Sequence, residues 1–108
     1  MTFDDYQSAA RATAIYGEAH RVVYPALGLA SEAGEVAGKI KKVLRDQDGD
    51  FAHAPREALE DELGDVLWYV AVLAADLGLS LEAIAARNLD KLRSRRERGR
   101  LSGEGDRR

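Results

Sequence analysis

The sequence predicts an all-α fold, a bundle of four helices, and three observations favour it. Apolar residues recur at three- and four-residue spacing through several long stretches, as they do on one face of a helix. No segment shows the sustained alternation of apolar and polar residues that marks a half-buried strand. The 108 residues are 45% hydrophobic and 32% charged, which suits one compact core in a chain too short for two domains.

The first two helices are recognised by the residues at their starts. Thr2 is an N-cap candidate for a helix over about residues 3–16, whose apolar side carries Phe3 and Tyr6. Pro25 suits the first turn of a second helix, which continues to about residue 45. The acidic, glycine-containing segment 46–50 is expected to end that helix.

The last two helices are bounded by a proline, a glycine and a serine. The third is predicted from about Pro55 to Leu77, before Gly78, which suits the position just after a helix. Ser80 is the cap candidate of the fourth helix, which fades near residue 97. We expect residues 99–108 to form a polar, basic and extended tail, so the helical domain is assigned to residues 1–98.

Charge divides the chain into an acidic body and a basic end. Residues 1–90 carry 8 basic and 16 acidic side chains, and residues 91–108 carry 8 basic and 3 acidic ones, which together give the net charge of −3. The acidic body argues against a nucleic-acid partner, because basic side chains supply most of the affinity for phosphate backbones. The basic end suits a small anion instead.

Two absences restrict the class of protein. The sequence contains no cysteine, which excludes disulfides, thiolate metal sites and cysteine nucleophiles. Its start lacks the basic and apolar regions of a secretion signal, and no apolar run approaches the roughly 18 residues needed to span a bilayer. We therefore expect a cytoplasmic protein with no membrane partner.

Two pairs of carboxylates lie at the edges of the predicted apolar faces. Glu32 and Glu35 flank the apolar stripe of the second helix, and Glu62 and Asp65 flank that of the third. Residues three apart are neighbours on a helix, so each pair can bind one ion or two adjacent ions. Four converging carboxylates repel one another without a cation, and an oxygen-only set suits Mg²⁺ or Mn²⁺. The alternative is a set of solvated acids, with Glu35 in an ion pair with Lys39.

The fourth helix adds groups that suit a phosphate. Asn88 interrupts its apolar stripe, and a buried amide needs hydrogen-bond partners. Lys91 and Arg95 follow about one and two turns later on the same side, so the three side chains can contact a phosphorylated ligand. The alternative is that Asn88 is a satisfied core amide and that the cations oppose the helix dipole.

Three segments together resemble a known family. Residues 28–36, 62–69 and 88–92 read GLASEAGEV, ELGDVLWY and NLDKL, which is similar to the MazG-like nucleoside triphosphate pyrophosphohydrolases of the all-α NTP pyrophosphatase superfamily. The resemblance extends over about residues 26–96. The ending, residues 103–107, also looks like a glycine-rich C-terminal motif of short members.

The resemblance implies roles for particular residues. It implies four magnesium ligands at the catalytic centre, namely Glu32, Glu35, Glu62 and Asp65. It implies substrate contacts from Asn88 and Lys91 and a phosphate neighbour in Lys39, and Arg95 joins them as a candidate substrate-binding residue from its place on the same helix face. The expected cofactor is Mg²⁺, with Mn²⁺ as a substitute.

The implied activity is hydrolysis of a nucleoside or deoxynucleoside triphosphate to the monophosphate and pyrophosphate, which removes unwanted nucleotides from the pool. Two alternatives stay open. One is a related enzyme that acts on phosphoribosyl-ATP or on a specific pyrimidine deoxynucleotide, because such enzymes share the helices and the acids. The other is a non-catalytic, metal-binding helical module that interacts with another protein.

The third helix is apolar on nearly all sides, which suggests a second subunit. Trp68 and Val72 lie opposite Val66 and Val70, and in a chain this short another copy most easily covers the additional side. The alternative is that Trp68 packs on the first helix. The resemblance also implies oligomers with sites assembled partly across the interface, so we expect a homodimer or homotetramer.

Overall fold

The computed structural model describes all 108 residues, and it consists of helices and turns without a strand. The four α-helices are α1 (Phe3–Ala12), α2 (Val23–Asp46), α3 (Arg56–Asp76) and α4 (Leu81–Glu97), and single 3-10 turns lie at Glu18–His20 and Phe51–His53. The predicted all-α, four-helix class is therefore confirmed. No single helix is both long and apolar enough to cross a membrane, and α3 and α4 reach that length and composition only when taken together across a bend of 105°.

Helix boundaries that depend on nearby residues lie where the sequence predicts them. Thr2 Oγ1 accepts a hydrogen bond from the Asp5 amide, and the Asp5 carboxylate accepts one from the Thr2 amide, so α1 begins with a capping box. At the start of α4, Ser80 Oγ accepts a hydrogen bond from the Ala83 amide. Gly78 has φ +72°, the left-handed conformation in which glycine commonly follows a helix, and α3 ends just before it.

The connection between α1 and α2 differs from the prediction because Asp76, at the far end of α3, holds it in place. α1 ends at Ala12 and not near residue 16, and α2 begins at Val23. The fully buried Asp76 side chain accepts hydrogen bonds from Tyr16 Oη at 2.6 Å and from the Val22 amide at 3.0 Å. Val22 has φ +68°, which is strained for a β-branched residue, and its hydrogen bond to Asp76 helps to hold that conformation.

Helices α2 and α3 form an antiparallel pair. Gly28, early in α2, lies against Tyr69 in the second half of α3. Lys39, further along α2, pairs with Glu62, which lies earlier in α3. The order of contacts is therefore reversed between the two helices, and this register sets the acids of one helix opposite those of the other.

The core lies between α1, the second half of α3 and the start of α4. Its buried residues are Ala10, Ala71, Val72 and Leu81. Trp68 packs beside them, and its Nε1 donates a hydrogen bond to Thr13 Oγ1 at 2.8 Å. Val72 is therefore fully covered within the chain, against the prediction that it faces a second subunit, and the partly buried Trp68 packs toward α1 as the alternative expects.

Gln7 joins α1 to this end of the molecule. Its Nε2 donates to the carbonyl oxygens of Ala71, at 3.1 Å, and Leu79, at 3.0 Å. Its Oε1 accepts a hydrogen bond from the Leu81 amide at 3.0 Å. One side-chain amide thus satisfies main-chain groups at the end of α3 and at the beginning of α4.

Several apolar side chains that the helical pattern predicts as buried are exposed. Leu63, on α3, is 57% exposed, and Leu67 one turn later is also exposed. On α4, Leu89 and Leu92 are exposed together with Asn88. The prediction that Asn88 is a buried amide is therefore wrong, because the apolar residues around it are themselves left uncovered in this chain.

The C-terminal segment, residues 99–108, is folded back along α4 and is not extended as expected. Gly103 and Gly105 have φ +107° and +87°, conformations that side chains other than glycine rarely adopt. The Arg108 guanidinium donates to the carbonyl oxygens of Leu101, at 2.9 Å, and of Gly105, at 2.7 Å. Arg98 in turn donates to the main-chain oxygen of Arg108 at 2.8 Å. The domain boundary at residue 98 stays a prediction.

Candidate functional site

Three carboxylates from two helices meet in one group, which we call the acidic cluster. Glu32 belongs to α2, Glu62 and Asp65 belong to α3, and one oxygen of each lies within 4.8 Å of the others. Glu62 and Asp65 share one face of α3 because they are three residues apart, and the antiparallel register sets Glu32 opposite them. Glu32 and Glu62 are half-buried, whereas Asp65 is exposed. The cluster therefore opens to solvent on the side of Asp65.

The electrostatics of the acidic cluster favour a cation. A hydrogen bond with Glu62, burial, and the negative charges of Asp65, Glu62 and Glu35 all raise the pKa of Glu32. The negative charges of the cluster thus repel one another, and a bound positive ion would relieve that repulsion. Lys39 Nζ lies 3.5 Å from Glu62 Oε1 and supplies part of the missing positive charge. The oxygen-only donor set fits a hard divalent cation.

Glu35 and Lys39 do not form the ion pair that the alternative interpretation of the acids expects. Lys39 pairs with Glu62 across the helices and not with Glu35, four residues before it on the same helix. Glu35 is exposed, forms no ion pair and lies outside the group of three. It is still close enough for its charge to raise the pKa of Glu32. The structure thus brings together three of the four predicted metal ligands and leaves Glu35 at their edge.

An aromatic group adjoins the acidic cluster. Tyr69 lies one turn after Asp65, and a Cβ atom at Gly28 would overlap its ring, so the absence of a side chain there admits the tyrosine. The ring centroid of Tyr69 lies 6.4 Å from that of Tyr24, which stacks at 4.8 Å on Tyr16. Burial, a hydrogen bond with Tyr24 and nearby negative charges, those of the cluster included, raise the pKa of Tyr69.

Sequence reasoning missed Tyr24 in this group. It precedes Pro25 in the first turn of α2, before the position at which the sequence predicts that the helix begins. Gly28, one turn later, signals the close approach of another group, but that group is Tyr69, so no signal in the sequence points to Tyr24 itself. Gly34 and Gly38 carry no such meaning within this chain, since nothing lies within 4 Å of a Cβ atom at either position.

The predicted phosphate-binding residues line a second feature, which we call the basic cavity. It has a volume of about 400 Å³ between α4 and the C-terminal segment. Asn88, Lys91 and Arg95 all contribute to its wall. The Arg95 side chain is only 7% exposed, and Lys91 Nζ lies 2.7 Å from the Asp106 carboxylate. The remaining lining residues are Ile84, Arg87, Ser94, Arg98, Asp106, Arg107 and Arg108.

The acidic cluster and the basic cavity are separate within one chain. Asp65 lies about three turns before the end of α3, and Lys91 lies about three turns after the start of α4. Because the two helices are bent by 105°, a rise of about 1.5 Å per residue sets these positions apart by on the order of 20 Å. The predicted site residues therefore fall into two groups. Of the predicted substrate-binding residues, only Lys39 lies beside the acids, and the others line the basic cavity.

Comparison with known proteins finds one family model and one curated relative that match the chain. The family model of the MazG nucleotide pyrophosphohydrolase domain matches residues 25–99. The chain is also 48% identical, over 114 aligned positions that cover all of both chains, to the Gene 37 protein of Mycobacterium phage L5, whose name states no activity. No solved structure matches the chain significantly.

Proposed function

Because the chain belongs to the MazG nucleotide pyrophosphohydrolase family, we propose that it hydrolyses a nucleoside triphosphate to the monophosphate and pyrophosphate with Mg²⁺ as its cofactor. The observation that carries this proposal is the convergence of Glu32, Glu62 and Asp65 from two helices. Mn²⁺ is the expected substitute, because it prefers the same oxygen ligands. Clearance of unwanted nucleotides from the cytoplasmic pool is the proposed context.

The acids divide into two roles. When bound, a divalent cation at Glu32, Glu62 and Asp65 supplies charge screening of the phosphates and polarises the attacked phosphorus. Glu62 is engaged by Lys39, whereas the neighbouring Glu35 has no ion-pair partner and is exposed. Glu35 is therefore the carboxylate best placed to take a proton from the attacking water. Lys39, beside the cluster, is suited to a phosphate oxygen.

The distance between the two groups of residues supports an oligomer. The basic cavity shares no residue with the acidic cluster, and the positions of Asp65 and Lys91 lie on the order of 20 Å apart. A second copy could present its Asn88, Lys91 and Arg95 to that substrate, and we propose a homodimer or homotetramer on this basis. The exposed apolar side chains of α2 and α3, Leu27, Leu44, Leu63 and Leu67, offer an interface to such a copy.

The activity is tested by pyrophosphate release from canonical and modified nucleoside triphosphates, pyrimidine deoxynucleotides and phosphoribosyl-ATP. Each is incubated with Mg²⁺, with Mn²⁺ and with EDTA, and the products are separated by chromatography. Monophosphate and pyrophosphate that form only with a divalent cation support the proposal and rank the substrates. If no member of the panel is cleaved, the non-catalytic module becomes the better description.

Variants in the same assay test the residues. We expect Asp65→Asn and Glu35→Gln to lower turnover by about 100-fold or more, because loss of an outer partner of a metal ligand alone costs 10- to 100-fold. The matched control is Asp61→Asn, since Asp61 is an exposed acid on α3 without an ion pair. In EDTA, the melting temperature of Asp65→Asn should equal or exceed that of the wild type, because repulsion is relieved. Wild-type turnover in either variant would remove that residue from the mechanism.

A further inference from the structure

The basic cavity already contains an acid of its own. Asp106 Oδ1 lies 2.7 Å from Lys91 Nζ and 3.4 Å from Arg95 Nη2, and the main-chain oxygen of Asp106 also accepts a hydrogen bond from Arg95. Asp106 is the single acidic side chain among the residues that line the cavity. The cations that line it number six, namely Arg87, Lys91, Arg95, Arg98, Arg107 and Arg108. The cavity therefore keeps a large excess of positive charge after Asp106 is counted.

We infer that Asp106 is an internal stand-in for phosphate, and that a phosphate group enters the basic cavity by displacing its carboxylate from Lys91 and Arg95. The inference rests on the proposed function for the source of that phosphate, the polyphosphate chain of a nucleotide. It adds a regulatory step, because the chain competes with its own ligand.

Arg95 supplies an independent indication of a missing ligand. Its side chain is more than nine-tenths buried, and its buried Nε has no hydrogen-bond partner. A guanidinium carries five N–H donors, and a buried donor without an acceptor is unfavourable. Because a phosphate group presents more oxygens than one carboxylate, it can satisfy donors that Asp106 leaves free.

The attachment of the C-terminal segment suits a reversible competitor. Arg108 donates to the carbonyl oxygens of Leu101 and Gly105, so the segment is closed on itself by contacts of its own. The Asp106 side chain is 79% exposed, and ion pairs at such positions are weak and readily exchanged. The hydrogen bond from Lys91 and its charge hold the pKa of Asp106 below its usual range, so the carboxylate is charged at neutral pH and competes directly with an anion.

The test is a calorimetric titration of the full chain with inorganic pyrophosphate in EDTA, where no cation can recruit the acidic cluster. We expect Asp106→Asn to bind pyrophosphate about 3- to 5-fold more tightly than the wild type, which is the effect of removing an exposed competing ion pair. Glu104→Gln is the matched control, since it removes the same charge from the same segment without touching Lys91 or Arg95. It should stay within about twofold of the wild type.

Other outcomes overturn the inference. Equal or weaker binding by Asp106→Asn means that Asp106 positions the cations instead of competing for them. Equal gains from Asp106→Asn and Glu104→Gln mean that only the overall charge matters. Binding that survives Lys91→Met in the wild-type background places the pyrophosphate elsewhere, and no binding to any variant at millimolar pyrophosphate means that the cavity is not a phosphate site.

The two proposals fail separately. If Asp106→Asn binds pyrophosphate more tightly but the chain cleaves no triphosphate, the inference about Asp106 stands and the proposed hydrolase activity is wrong. If the chain cleaves triphosphate but Asp106→Asn does not change its affinity for pyrophosphate, the proposed hydrolase activity stands and the inference about Asp106 is wrong.

Discussion

Replacement of Asp76 by Asn should lower the free energy of unfolding by about 2–4 kcal/mol, because one buried carboxylate holds the whole connection between α1 and α2. It accepts hydrogen bonds from Tyr16 Oη and the Val22 amide, and its Oδ1 lies 3.4 Å from Arg11 Nε and 3.5 Å from Arg21 Nε. Breaking a fully buried pair costs about 3–5 kcal/mol. The two arginine side chains are 34% and 39% exposed and stay hydrated, so the expected loss of stability is smaller than for a fully buried pair.

Urea denaturation at pH 7, followed by helical circular dichroism, measures this effect. For a domain near 100 residues, each kcal/mol corresponds to about 4–8 °C in melting temperature, so a loss of about 8–32 °C is expected as well. The control is Asp90→Asn, because Asp90 forms an exposed ion pair with Arg93 at 3.1 Å that is worth less than about 1 kcal/mol. A difference between the two variants below about 0.5 kcal/mol would refute the reasoning.

The pH dependence provides a second check on Asp76. Burial alone raises the pKa of this carboxyl, but the hydrogen bonds from Tyr16 and Val22 and the charges of Arg11 and Arg21 outweigh it and hold the pKa below its usual range. The stability gained from the charged form is therefore present above the unfolded pKa, near 3.9, and is lost as the pH falls through the lower folded pKa. The wild type should lose more stability than Asp76→Asn in that window.

Two further predictions concern the aromatic group. Gly28→Ala should lower the free energy of unfolding by about 1–3 kcal/mol, because the new methyl group overlaps the Tyr69 ring. Gly34→Ala, with open space around it, should raise the free energy of unfolding by about 0.5–1 kcal/mol. Thermal melts measure both effects, and melting temperatures that shift in the same direction would contradict the prediction. Burial and the hydrogen bond to Asp76 raise the pKa of Tyr16 to about 12, so the wild type should lose stability between about pH 10 and 12, and Tyr16→Phe should lack that loss.

The sequence predicts the helices wherever a local signal suffices. The caps at Thr2 and Ser80 and the glycine at 78 act on residues within one turn, and all three lie at the boundaries that the structure shows. The end of α1 and the start of α2 depend on Asp76, more than fifty residues away in the chain. No local pattern around those boundaries contains that contact.

The same distinction separates the parts of the site. The spacing of Glu62 and Asp65 sets both acids on one helix face, so the sequence predicts their proximity directly. Glu32 lies near Glu62 and Asp65 only because α2 and α3 pack in antiparallel register. A helical wheel of one helix carries no information about that register. A helical wheel also shows that Trp68 is on an apolar face without showing which neighbour covers it, and the contact of Asp106 with α4 depends on a turn at two glycines.

The bridge made by Gln7 couples the opening motions of two helices. The first turn of α4 has its Leu81 amide bound to a side chain of α1, and the same side chain binds the carbonyl oxygen of Leu79. When α1 moves away, that amide loses its acceptor at once, whereas the interior amides of α4 keep theirs. Hydrogen exchange at Leu81 therefore reports the undocking of α1 and not the fraying of α4, which makes one amide a local gauge of the attachment between the two helices.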